Sequence, residues 1–260
     1  MQETSQACLL SALDARGVKT LTLNRPDAFN ALSEELLAAL QRELQATADD
    51  ETVRVVVLAA NGRAFCAGHD LKEMRNSPSP EYYLALFTQC SEVMLAVQRL
   101  PVIARVQGLA TAAGCQLVAM CDLAVATSTA RFAVSGVNLG LFCSTPSVAL
   151  SRNIGRKAAF EMLVTGEFID ALEAQRLGLV KCVAQPEALD AMLQQLVQSI
   201  LAKPRIAVTM GKQLFYRQLE KGIEAAYADA AQTMACNMME QPALEGVQAF
   251  IDKRAPNWRT

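Results

Sequence analysis

The sequence predicts an α/β fold of layered parallel sheet and helix, and three observations carry that prediction. Apolar, β-branched runs at residues 53–60 and 102–106 read as strands covered on both faces. Helical stretches with capping signals alternate with these runs, as they do when helices cross between parallel strands. The chain of 260 residues is 52% apolar and 19% charged, enough to bury a full core.

In chain order, residues 19–24 read as a strand. Residues 33–47 read as a helix, with Ser33 as N-cap, Glu34 and Glu35 in the first turn, and Leu37, Leu40 and Leu44 on one face. The strand at 53–60 ends at Asn61-Gly62, and a helix is predicted over 81–100. After the strand at 102–106, a small-residue loop from Gly108 to Gly114 opens a helix through Met120, and 123–126 is strand again. From Pro146 the strand signals fade. Asp170-x-x-Glu173 reads as a capping box closed by Gly178, and helices are predicted over 186–202 and 222–238. The last third is therefore expected to be mainly helical. The division expected is an α/β core over 1–200 and a helical segment over 201–260, with Pro204 as the punctuation between them.

A net charge of −2 gives neither a basic footprint for nucleic acid nor a disordered acidic tail. The eight cysteines are dispersed with no C-x-x-C pair and read as buried free thiols rather than disulfides or metal ligands. No apolar run reaches the ~18 residues of a membrane span, and residues 1–11 lack a basic stretch followed by an apolar one. A soluble cytoplasmic protein with no membrane partner is the expectation. His69 is the only histidine, which removes any Ser-His-Asp, Cys-His or multi-histidine metal site that needs a second one, and it reads as a packing or loop-orienting residue rather than a catalytic base; no metal is predicted.

Two loops stand out. Cys66-Ala67-Gly68-His69-Asp70 follows a strand and turn, and Gly108 to Gln116 is a run of small residues leading into a helix N-terminus. Such loops let backbone N–H groups approach a ligand and together suit a developing negative charge on oxygen. Ordinary tight connections that need small side chains would look the same.

Three strings decide between these readings. Asn24-Arg25-Pro26-Asp27-Ala28-Phe29-Asn30-Ala31-Leu32, then Phe65-Cys66-Ala67-Gly68-His69-Asp70-Leu71-Lys72-Glu73-Met74, then Ala112-Ala113-Gly114-Cys115-Gln116-Leu117 with Cys121-Asp122 resemble the enoyl-CoA hydratase/isomerase (crotonase) family. The resemblance continues through 163–167 and 174–180 to 245–254, and so covers nearly the whole chain. Residues 136–146, with Ala67 to Asp70, are similar to the enoyl-CoA hydratase domain-containing protein 3 subgroup.

This resemblance implies a crotonase-like spiral of ββα units followed by a C-terminal helical trimerisation segment, as a homotrimer or a dimer of trimers. It implies an acyl-CoA partner and no separate cofactor, since CoA is part of the substrate. It places the oxyanion-hole N–H groups on Ala67 and Ala113, and lines the CoA path with Ala28, Ala67, Gly68, His69 and Asp70. Lys72 falls near the CoA phosphates or is solvated, and Lys253 matches a lysine near the CoA of a neighbouring subunit or is solvated. Asn138, Cys143 and Ser144 fall where related enzymes vary their catalytic groups, or only line the pocket.

The two glutamates that manage water in family hydratases are replaced by Gln116 and Gly136. An amide hydrogen-bonds water but does not take its proton, and glycine offers no side chain. The implied function is thioester binding with enolate stabilisation and without efficient classical hydration. Binding without turnover, or a different acyl-CoA chemistry such as isomerisation, is the alternative. Asp122, at the start of the next strand, reads as a capping or turn residue rather than a replacement acid.

Overall fold

Between residues 55 and 133, successive strands go alternately to two sheets. In the computed structural model, which describes residues 7–76 and 78–258, a hairpin of β1 (Leu9–Leu13) and β2 (Val18–Leu23) leads into helix α1 (Glu34–Asp49). The first six residues of the segment read for a leader lie outside the described residues. Strand β3 (Val55–Ala60) joins the first sheet and β4 (Ala64–Cys66) the second, before α2 (Leu71–Asn76) and α3 (Pro80–Val97). The pattern repeats with β5 (Val102–Val106), β6 (Leu109–Thr111) and α4 (Ala113–Met120), and again with β7 (Leu123–Thr127) and β8 (Arg131–Ala133). This is the spiral of paired strands and helices implied by the resemblance.

Helices α5 (Ser144–Asn153) and α6 (Arg156–Thr165) come next, then β9 (Ile169–Asp170), α7 (Ala171–Leu177) and β10 (Cys182–Ala184). Four helices complete the described chain: α8 (Leu189–Leu201), α9 (Arg205–Leu219), α10 (Ile223–Met238) and α11 (Gln241–Ile251). The first sheet is ordered β1-β2-β3-β5-β7-β10 and is parallel except for the β1–β2 hairpin; the second is β4-β6-β8-β9, with only β9 antiparallel.

Every residue of β3 is buried, and the alternation of side chains explains why. Val56, Leu58 and Ala60 enter the core with Leu36, Leu37, Leu40 and Leu44 of α1, while Val55, Val57 and Ala59 enter a second core under Leu189, Leu193 and Val197 of α8. The caps fall where expected: the Ser33 side chain accepts the Leu36 N–H at 3.2 Å, Asp170 accepts the Glu173 N–H at 2.8 Å, and Gly178 closes α7 at φ 89°. The cysteines are free, and six of them are buried. No helix among the described residues is long and apolar enough to cross a membrane.

Several elements were not anticipated. Strand β1 leaves most of its residues exposed and so shows no apolar alternation. Strand β6 lies inside the segment read as a loop, and β9 and β10 are only two and three residues long. Helix α9 buries Lys212, whose ammonium donates to the Val97 carbonyl at 2.7 Å, to the Leu100 carbonyl, and to the Asp122 carboxylate at 2.7 Å. Tyr216 donates its hydroxyl to the same carboxylate at 2.8 Å, and the Val102 N–H does so at 2.7 Å. Asp122 is therefore more than a turn residue: it holds α9 to the core. Burial pushes the Lys212 pKa down, and the charge of Asp122 works against that shift.

Asn30 ties the first motif together. It is fully buried at φ 53°, a conformation asparagine tolerates better than most residues. Its Oδ1 accepts the Arg25 N–H at 2.8 Å, and its Nδ2 donates to the carbonyls of Asn61 and Ala64, both at 2.8 Å. Asn30→Ala leaves these groups unpaired in the interior, and a loss of about 2–4 kcal/mol of stability is expected. Urea unfolding of the two proteins measures it, and a loss below about 1 kcal/mol would show that water takes over the bonds.

Candidate active site

The site begins with two backbones that touch. Beyond β4, Gly68 turns the chain at φ 91°, and a Cβ there would lie 2.8 Å from the Ala112 Cβ and 3.3 Å from the Ala113 nitrogen. A Cβ at Gly114 would lie 2.1 Å from the Cys66 carbonyl oxygen. Only glycine permits either approach. Ala112 sits between them at φ 49° and ψ −121°, a strained conformation for alanine, with its N–H held by the Ala133 carbonyl at 3.0 Å. Helix α4 therefore starts at Ala113, whose N–H has no acceptor within its own helix.

The donor expected at Ala67 is corrected by the structure. Its N–H is already bonded to the Phe29 carbonyl at 3.0 Å. Around it, Leu32 donates to the Gly68 carbonyl at 2.7 Å and Asp70 donates to the Leu32 carbonyl at 3.2 Å, so the N–H of the intervening His69 faces the other way. Among the described residues, the backbone N–H groups of His69 and Ala113 donate to no protein acceptor.

Both residues line a cavity of about 240 Å³. Of the residues singled out from the sequence, the cavity brings together Ala67, His69, Ala113, Gly136, Cys143 and Ser144. Its apolar wall, which includes Met74, Phe87, Leu139, Leu141 and Phe142, was not identified from the sequence. The available signal was a Leu-Gly-Leu-Phe run left exposed at a loop: Leu139, Leu141 and Phe142 are 69%, 49% and 43% exposed. Among the described residues, no Asp, Glu, Lys or Arg lines the cavity.

The remaining predicted residues are placed elsewhere. Gln116 is buried on α4 without lining the cavity, and its Oε1 has no hydrogen-bond partner among the described residues. Asn138 turns away and donates to the Gly166 carbonyl at 3.4 Å. Asp70 pairs with Arg25 at 2.9 Å; burial opposes its ionisation, but the bonds from Arg25 and from the Lys72 and Glu73 N–H groups prevail and keep its carboxyl below the usual range. Ala28 lies in the 3-10 turn Pro26–Ala28, Lys72 is exposed on α2, and Lys253 is exposed beyond α11. None of these four lines the cavity, nor does Gly68.

The sequence model of the Enoyl-CoA hydratase/isomerase family matches residues 14–260. This chain belongs to that family. It is 44% identical to the mitochondrial enoyl-CoA hydratase domain-containing protein 3 of Mus musculus, over 98% of this chain and 85% of the relative. It is 34% identical to the 2,3-dehydroadipyl-CoA hydratase of Escherichia coli, over 93% of this chain and 95% of that protein. Among solved structures, an enoyl-CoA hydratase from Mycobacterium smegmatis superposes with a TM-score of 0.97 at 68% identity, over 98% of this chain and all of the other. The human enoyl-CoA hydratase domain-containing protein 3 superposes at 0.92 with 41% identity, over 96% of this chain and all of that one.

These relatives correct the cytoplasmic expectation. The vertebrate members of the subgroup are named as mitochondrial proteins. Free thiols and the lack of a long apolar run suit the inside of an organelle as well as the cytoplasm, so composition could not separate the two.

Within this enoyl-CoA hydratase/isomerase fold, the position that the sequence resemblance assigns to the second family glutamate is physically closed. The Gly136 N–H donates to Cys143 Sγ at 3.3 Å, and the Leu141 N–H donates to the Gly136 carbonyl at 3.0 Å. A Cβ on Gly136 would lie 2.6 Å from the Leu141 carbonyl oxygen and 2.7 Å from Cys143 Sγ. Burial pushes the Cys143 thiol pKa up although the Gly136 N–H works against it, so the group stays a thiol. Gly136→Ala is expected to lose about 1–3 kcal/mol of stability from this overlap. Gly155→Ala, with nothing within 4 Å of the new Cβ, serves as the control and should stay within ~0.5 kcal/mol of the parent in the same unfolding measurement.

His69 packs edge-on against Phe87, ring centroids 5.3 Å apart, and neither ring nitrogen has a partner among the described residues. Burial lowers its pKa to about 4, so the ring is neutral near pH 7. The native state then binds fewer protons than the unfolded chain between the ordinary value of ~6.5 and about 4. Stability should accordingly fall as pH drops through that window and be unaffected by this group above it. Because the chain has one histidine, the imidazole signals in an NMR titration of untagged protein report it alone. A midpoint near the ordinary ~6.5 would show that the ring is solvated.

Proposed function

We propose that this chain binds acyl-CoA and enoyl-CoA thioesters with the thioester oxygen between the N–H groups of His69 and Ala113, stabilises the enolate, and hydrates a double bond poorly. The observation that carries this reading is the pair of backbone donors without protein acceptors on the wall of an apolar cavity. A thioester oxygen that gains charge there meets fixed dipoles in a dry setting, and one such donor is typically worth ~10²–10³ in rate. The family membership supports a CoA thioester as the ligand.

Adding water needs a group that takes its proton and a group that returns one to carbon. The Gln116 amide does neither near neutral pH, and Gly136 supplies nothing. Neutral His69, with its nitrogens buried, is a weak base. The closed packing of Cys143 against Gly136 favours a second reading, an acyl-CoA-binding protein without turnover.

In this proposal Ala28, Gly68, Asp70 and Lys72 flank the CoA portion outside the cavity. Lys253 acts toward the CoA of a neighbouring copy in a homotrimer or a dimer of trimers. Exposed Phe215, Ile223, Tyr227 and Phe250 on α9 to α11 are apolar surface suited to such burial.

The test is thioester affinity by calorimetry alongside loss of crotonyl-CoA enoyl absorbance, for native protein and Gln116→Glu. Native protein should bind the thioester and turn over at least ~10²-fold below the ~10 s⁻¹ typical of enzymes. Gln116→Glu alone should leave the rate within about tenfold of native and the affinity unchanged, because the residue does not line the cavity and position 136 supplies no second acid. Native turnover near ~10 s⁻¹ would show that another group handles the water. Failure to bind any CoA thioester would overturn the proposal.

A further inference from the structure

The segment that closes the second acid position also builds the cavity's mouth. As residues 137–142 fold back over Gly136, with the Leu141 N–H on the Gly136 carbonyl and Gly136's own N–H on Cys143 Sγ, they present Leu139, Leu141 and Phe142 beside the opening. The closed position at 136 and the apolar wall thus belong to one stretch of backbone. These three side chains are large and exposed in the free protein, and the cavity they border holds the two free donors. A chain attached to a carbonyl seated on those donors would run along this wall.

We infer that the site selects uncharged acyl tails of medium length, about six to eight carbons, and rejects tails that end in a carboxylate. The inference rests on the thioester reading proposed above. The length follows from volume: about 240 Å³ accommodates at most about eight groups of ~30 Å³, the share of one water in the liquid, and the thioester carbonyl seated on the two donors takes part of that space. The charge selectivity follows from the lining, which among the described residues offers no lysine, arginine or other cation to a distal carboxylate. An unpaired charge in such a place is strongly disfavoured. Each methylene moved from water onto the wall should tighten binding about fourfold, and the gain should stop when the cavity is full.

Calorimetric titration of the native protein with acetyl-, butanoyl-, hexanoyl-, octanoyl-, dodecanoyl- and adipoyl-CoA tests this directly. Affinity should climb by about fourfold per methylene to hexanoyl or octanoyl and then level off, with adipoyl-CoA on the order of 100-fold weaker than hexanoyl-CoA. Leu141→Ser, at an exposed position, should shrink the octanoyl-to-acetyl affinity ratio severalfold. Equal binding across the series, or adipoyl-CoA binding as well as hexanoyl-CoA, overturns the inference and leaves thioester binding intact. No binding of any CoA thioester overturns the thioester reading and this inference with it.

Discussion

The approach of α4 to the end of β4 is the constraint on which the site depends. Gly114 brings the helix within a distance of the Cys66 carbonyl that no Cβ would allow, and Gly68 does the same against Ala112 and Ala113. Parallel β4 and β6 carry these two loops side by side, so the sheet that builds the fold also sets the spacing of the donors. Because the donors belong to the backbone, the site keeps them whatever side chains drift around them. Alanine at 113 costs nothing in donor chemistry. The cost appears next door, where Ala112 holds a conformation that glycine would adopt without strain.

The other half of the site is made by the return of the chain over Gly136. That return supplies a thiol and a backbone carbonyl where a side chain would otherwise project, and it brings apolar residues to the cavity. A carboxylate in such surroundings would need a partner to stay ionised, and none of the described residues that line the cavity supplies one. The apolar lining and the absence of acids are therefore mutually consistent. The neutral, unpaired ring of His69 fits the same apolar surroundings, since burial of its nitrogens lowers its pKa.

The sequence revealed most where burial is two-sided or where a cap has a fixed pattern. Strand β3 was legible because both of its faces enter cores, and α1 and α7 because Ser33 and Asp170 sit at their N-termini. Strand β1 was hidden because an exposed edge strand has no reason to alternate. Lys212 was hidden because its partner Asp122 is ninety residues away, and nothing local marks a lysine for burial. The free donor of the first loop was assigned two residues too early. Which N–H is free depends on the path taken by Phe29 and Leu32, which bond to that loop from a separate segment, and residue types do not record that path.

Gln116 sits where these constraints meet. It keeps nearly the length and shape of the glutamate that the family resemblance puts at this position, but it has no charge to lose. Its Oε1 is buried without a partner among the described residues, and an unpaired acceptor of this kind costs about 1–3 kcal/mol. A carboxylate there would incur a larger desolvation cost, so replacing it with an amide lowers the cost of the empty site while forfeiting proton transfer. The backbone donors need no such compromise, because Ala113 lies at a helix start and its N–H is unbonded by construction. On the proposed reading, binding and proton transfer are separable in this fold: the first rests on the close packing of two loops, the second on two side chains. A chain can lose the second while the packing that supports the first continues to hold the protein together.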